Sequence, residues 1–253
     1  MKRRFNLVLA FGLLLFFTGN LFAQETKIMV RALANDAKFI GSSMGGAKII
    51  IREVETGRIL DEGLTTGKTG DTGAILLSPR QRYKEITTEK TAGYQASLEL
   101  EKPTFVSIEA HGPMSKKQAK AVSSTQLWVI PGKDITGDGV ILKIPGFVVD
   151  ILSPQTHETI KPETKIEIKA NVVMMCGCPV TNAGTWDASG YEIKAIISSE
   201  GKEQKEIDLK PTEKASTFSE TIPLGEGDYE IEVYAYDPKT GNTGLDKLNI
   251  IVK

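Results

Sequence analysis

From residue 26 to the C-terminus, apolar and polar positions alternate in short runs, and Gly, Pro, Asn and Asp separate one run from the next. A period of two puts successive side chains on opposite faces, so each run predicts a half-buried strand. The clearest in the first half are KIMVRALA (27–34), AKIIIREV (47–54), RILDEGLTT (58–66), YQASLEL (94–100), TFVSIEAHG (104–112) and TQLWVI (125–130). The second half has FVVDILS (147–153), TKIEIKANVV (164–173), YEIKAIISS (191–199), TFSETIPL (217–224), DYEIEVYAYD (228–237) and LDKLNIIVK (245–253). Helical periodicity is nearly absent between them. The expected fold class is therefore all-β, as two antiparallel β-sandwich domains.

Two segments read as loops with at most a short helix. In SPRQ, Ser78 has the position of an N-cap, Pro79 the first helical position and Gln81, three residues after the cap, completes a capping box, so 79–89 is one of them. The other is MSKKQAKAVSS (114–124). Pro145 and Gly146 interrupt the strand pattern, which restarts at Phe147, so the domain boundary is placed there. The expected organisation is 1–23, 24–145 and 146–253.

The first of these pieces opens with Lys2, Arg3 and Arg4 and continues as an apolar run from about Leu7 to Phe17, with a polar exit at Ala23. That pattern predicts a signal peptide and a periplasmic or secreted protein. The run is shorter than the roughly 20 apolar residues that span a bilayer, so no transmembrane span is expected in the mature chain. Removing the three basic residues from 31 leaves 28 against 32 acidic ones, a formal charge of −4, which argues against a nucleic-acid partner. With two cysteines in the chain, burial and β ladders must carry the fold rather than a disulfide framework.

Two resemblances follow from particular residues. GGAKIIIREVETGRILDEGLTTGKTGDTG (45–73), with Gly57 placed for a tight hairpin, resembles the transthyretin-like, carboxypeptidase-regulatory-type modules of exported bacterial proteins. In the second half, ILSPQTHETI, GDYEIEVYAYDPKTGNTG and LNIIV resemble bacterial immunoglobulin-like and fibronectin-like modules. Tyr234, Asp237, Gly241, Asn242 and Gly244 take the positions of that family's last hairpin. The second resemblance implies a module that spaces, presents or binds, and the first implies a fold alone.

Motifs for chemistry are sparse. GLTTGKTG (63–70) has three residues where a phosphate loop needs four, and it reads as a turn. Asp134, Thr136 and Asp138 begin like a calcium loop, with Gly139 at the sharp turn, but Pro145 stands where the bidentate Glu belongs, so a plain Asp/Gly turn ranks ahead of a weak calcium site. The two histidines, His111 and His157, fall in different expected domains, which leaves a nucleophile without its usual base.

The stretch NVVMMCGCPVTNAGTWDASGY (171–191) concentrates what remains. On an extended strand Cys176, Cys178 and Met174 share a face, and Gly177 permits a tight fold. A local disulfide or structural pin ranks ahead of a Cu(I) site using Cys176, Cys178, Met174 and Met175, and that ahead of inert core. Trp186, Asp187 and Tyr191 make the same insert a candidate binding loop. The expectation is a non-enzymatic cell-envelope binding, adhesion or scaffold protein whose partner is another envelope protein or an extracellular ligand. Its alternatives are a periplasmic copper or thiol-redox accessory protein, and a carbohydrate-binding module that stacks sugar on Trp128 or Trp186.

Overall fold

The computed structural model of the protein describes residues 23–162, 164–200 and 204–253. Apart from Ala23, the leader reading of 1–23 lies outside the described residues. The first half contains β1 (Gln24–Ala34), β2 (Lys48–Glu53), β3 (Ile59–Leu64), β4 (Tyr94–Leu100), β5 (Thr104–Gly112), β6 (Ala121–Val129) and β7 (Ile135–Ile144). In the second are β8 (Phe147–Ser153), β9 (Thr159–Ile160), β10 (Lys165–Met174), β11 (Glu192–Ser198), β12 (Lys205–Asp208), β13 (Lys210–Pro211), β14 (Thr217–Pro223), β15 (Gly227–Tyr236) and β16 (Thr243–Val252).

The fold is all-β, and its strands make four sheets in the orders β4-β1-β7, β3-β2-β5-β6, β13-β14-β10-β8 and β12-β11-β15-β16-β9. Each sheet draws its strands from one side of Pro145–Gly146 only. The period-two pattern is what packs them: β5 alternates buried with half-buried residues along its whole length, and Val106, Ile108 and Ala110 face inward. The same logic buries Ile231, Val233 and Ala235 on β15. Pairing is antiparallel except for β1 with β7 and β16 with β9.

Gly57 has φ +71° in the turn between β2 and β3, and its amide donates to Glu53 O at 2.9 Å, so the TG hairpin forms as its sequence dictates.

Three local expectations need correction. The helical turn lies at Gly73–Leu77, and Ser78 ends it instead of starting it. Asp71 accepts the Ala74 amide at 2.8 Å, and Ile75 anchors the turn in a small apolar cluster with Phe39 and Ile86, contacts that a capping pattern around Ser78 could not foresee. Within 114–124 the helical part is one 3₁₀ turn, Lys117–Ala119, and β6 begins as early as Ala121 because Val122 and Ser123 pair with His111 and Ala110. The Asp/Gly segment 134–139 is no plain turn: from Ile135 onward it belongs to β7, where Ile135 pairs with Ile28 but Val140 with Val30. Residues 136–139 bulge out opposite Met29, with Gly137 at φ +67° and Gly139 at +70°, and a Cβ on Gly139 would collide with the Met29 backbone oxygen.

Buried side chains of both halves belong to one contiguous apolar cluster that runs from Ile49 and Ile108 through Met44, Phe147 and Met175 to Ile168 and Ile231. No helix among the described residues is long and apolar enough to cross a membrane.

Candidate functional site: the seam between the two halves

The last hairpin presents one side chain to the seam. Between β15 and β16, Asp237 accepts the Lys239 amide at 2.8 Å and the Thr240 hydroxyl at 2.6 Å, while Gly241 turns the chain at φ +72°. This build holds Asn242 fully buried. Its Nδ2 donates to Asn35 O at 3.1 Å, and its Oδ1 accepts from Asn35 Nδ2 at 3.1 Å and from the Gly146 amide at 3.0 Å. One side chain thus ties the hairpin, the linker and the turn after β1 together. Gly244 is bare for a related reason, since a Cβ there would stand 2.6 Å from Phe147 O.

The cysteine insert packs beside this tie. Trp186 is 6% exposed, and its indole N–H donates to Asp36 O at 2.8 Å. That corrects the reading of Trp186 as a sugar platform and of Trp186, Asp187 and Tyr191 as a free binding loop. The indole is spent on the opposite half, and Tyr191 packs edge-on against Phe147 with ring centroids 5.1 Å apart. Asp187 lies at the insert's edge and accepts the Ser189 amide at 3.0 Å.

Cys176 and Cys178 form a disulfide with Cα atoms 5.4 Å apart. The two residues are 1% and 5% exposed, with Met174 and Met175 buried beside them. Gly177 at φ +76° lets the chain reverse, and a Cβ there would lie 2.6 Å from Met44 Sδ of the first half. In this bonded state neither sulfur is a thiolate. Among the described residues no three His, Cys, Asp or Glu side chains gather to hold a metal ion.

A polar clasp closes the other side of the seam. Lys116 pairs with Asp150 at 2.8 Å, and Gln118 donates to Asp150 at 2.6 Å and to Val149 O at 3.1 Å.

Charge is unevenly tolerated here. Burial, and then Asp237, raise the Asp36 carboxyl above its ordinary range. Asp187 is held low by the backbone amides of Ser189 and Ala183. The Tyr191 hydroxyl is pushed up to about 12, first by burial and then by Asp237, Asp36 and Asp187.

The remaining candidates lie apart. Asp134 accepts the Lys27 amide at 2.8 Å, and Asp138 accepts the amides of Ile86 and Thr87 at 3.1 and 3.0 Å and the Thr87 hydroxyl at 2.7 Å. These carboxylates strap loops, while Thr136 lines a cavity with Arg31, Glu85 and Glu89. His111 bonds Glu109 at 2.9 Å within its own strand, and His157 belongs to the other half. Trp128 is 63% exposed on edge strand β6, braced by its cross-strand partner Phe105 at 5.1 Å.

Sequence reasoning missed Met44, Asn35 and Asp36, since no local pattern distinguishes seam residues from turn residues. Asn242 was visible, but as a hairpin position only.

No family model matches the chain, and no curated protein does. Among solved structures, the fibronectin(III)-like modules of CbhA from Clostridium thermocellum align over 81% of this chain and 77% of theirs, at 13% identity and a TM-score of 0.29. Titin domains Z1Z2 in complex with telethonin align over 92% and 89%, at 10% identity and a TM-score of 0.24. Dpr2 Ig1-Ig2 in complex with DIP-Theta Ig1-Ig3 aligns over 91% and 62%, at 11% and 0.23.

Proposed function

We propose that this chain is an exported, non-enzymatic binding or scaffold protein of the cell envelope, in which a transthyretin-like and an immunoglobulin-like sandwich act as one rigid body. The observation that carries this reading is the Asn242 tie, which joins both halves and the linker at a single buried side chain. Free linkers leave modules to reorient independently, whereas a buried polar knot backed by a shared apolar cluster holds one relative orientation. A presenting or spacing element needs that property. Cell fractionation combined with NMR relaxation tests it: the protein is expected in the envelope or medium, with one tumbling time for both halves. Cytoplasmic retention or two independent tumbling times would reject the reading.

A second reading is favoured by Trp128. Its exposed indole borders a groove of about 390 Å³ with Glu53, Glu55 and Lys102 on its rim, an aromatic face flanked by groups that bond hydroxyls. Soluble glycans are then expected to quench the exposed tryptophan, and Trp128→Ala to abolish the effect. Absence of quenching across neutral and acidic glycans would remove this reading. A copper role for Cys176 and Cys178 would first require their reduction.

A further inference from the structure

On β1 the side chains of Ile28, Val30 and Ala32 face the core, so Lys27, Met29 and Arg31 face outward from the three-stranded sheet. An outward arginine on an open sheet would be solvated. Arg31 is instead 5% exposed, because the segment before β4 and the bulge of β7 cross over it. Its Nη1 donates to Thr91 O at 2.6 Å and Ala92 O at 3.0 Å, and its Nη2 donates to Gly137 O at 3.3 Å. The Nε–H has no acceptor among the described residues. Gly93 makes the room, since a Cβ there would stand 2.8 Å from Nη1 and 2.7 Å from Met29 Sδ.

A buried cation served only by carbonyls, with a donor left over, is costly unless something else compensates it. No carboxylate in the described residues comes within ion-pair distance. Asp138 contributes from further away, but its oxygens are spent on Ile86 and Thr87. Burial accordingly lowers the Arg31 pKa, with Asp138 and Glu85 only partly opposing it.

Arg31 helps to wall a cavity of about 570 Å³, within the range of small-ligand sites. The charged groups of its lining are two cations, Lys27 and Arg31, and two carboxylates, Glu85 and Glu89. Neither carboxylate makes a hydrogen bond or ion pair among the described residues. A plain anion entering would gain Arg31 but meet Glu85 and Glu89. A plain amine would meet the reverse. Only a ligand carrying both charges satisfies both ends.

We propose that this cavity binds a small zwitterion of the free amino-acid type, its carboxylate toward Arg31 and its ammonium toward Glu85 and Glu89. The test is isothermal titration of the intact protein with L-alanine, L-glutamine and L-leucine, beside propionate and ethylamine as single-charge analogues. At least one amino acid is expected to saturate a single site, with both analogues weaker by about tenfold or more, which is ~1.4 kcal/mol. Glu85→Gln with Glu89→Gln, at two exposed positions, is expected to weaken amino-acid binding about tenfold while the protein still unfolds in one cooperative transition. Arg31→Met is expected to abolish binding, and the glutamine pair keeps the test decisive where that variant unfolds. Saturation by none of the three amino acids, propionate binding as tightly as they do, or an unchanged affinity in the glutamine pair would each overturn the proposal.

Discussion

Asn242 and Asn35 exchange hydrogen bonds across the seam, each side chain serving the other residue's side chain or backbone at 3.1 Å. Asn242→Ala removes both bonds and leaves the Gly146 amide without its acceptor. Orphaning buried polar groups costs about 1–3 kcal/mol. In a protein of this size each kcal/mol lowers the melting temperature by roughly 2–4 °C. Calorimetry is expected to show that fall, with the single transition of the native protein broadening or splitting as the halves lose their coupling. A melt unchanged within a degree would mean the tie contributes nothing.

The two tryptophans should report separately on seam and surface. Trp186 is buried and bonded to Asp36, whereas Trp128 stands in solvent. Acrylamide is expected to quench Trp128→Phe protein weakly and Trp186→Phe protein strongly. Trp186→Phe keeps most of the packing and loses one hydrogen bond, about 1 kcal/mol. Trp186→Ala also opens a cavity and is expected to cost about 3–5 kcal/mol. Equal quenching of the two tryptophans would contradict the seam.

Periodicity made the strands legible because burial on one face of a sheet leaves a period-two record: YQASLEL and TFVSIEAHG coincide with β4 and β5 residue for residue. Where a strand bulges, the record breaks, and so 134–139 reads from the sequence as an Asp/Gly turn although Asp134 and Asp138 serve as acceptors for distant amides. The cysteine insert stood out by composition, yet its burial depends on Met44 and Asp36, more than 100 positions away, which no local pattern encodes. Arg31 is the sharpest case. Its alternation marks it as outward-facing, and only the chain folded over it makes it buried.

The tyrosines predict an alkaline limb of stability. Tyr191 is pushed up to about 12 by burial and neighbouring carboxylates, and Tyr94 to about 12 by burial and its hydrogen bond to Asp61. Both values lie above the ordinary 10.0. Between these limits the unfolded chain has lost protons that the folded one keeps, so stability is intact below pH 10 and falls as pH rises toward 12. Chemical denaturation across that window, paired with tyrosinate absorbance, is expected to show late titration of at least these two rings and a shallower fall in Tyr191→Phe. Titration of every tyrosine near 10 would refute the environment described for these two.

The disulfide should behave as a probe of the seam. Exchange requires a thiolate to reach one sulfur, and both cysteines lie buried between Met44 of one half and the core of the other. Reduction of native protein therefore has to await opening of the seam, and its rate follows the population of the opened form. Asn242→Ala, which weakens the closure, is expected to speed reduction by roughly tenfold for every 1.4 kcal/mol lost from it. The bond closes only a three-residue ring, so its loop-entropy contribution is small, and the melting temperature of the reduced protein is expected to stay close to that of the oxidised one. Timed thiol titration under mild reductant measures the rate, and calorimetry of the reduced and oxidised protein measures the second effect. Were native, variant and denatured protein reduced at one common rate, the sulfurs would be open to solvent, and the packing of the insert into the seam would be wrong.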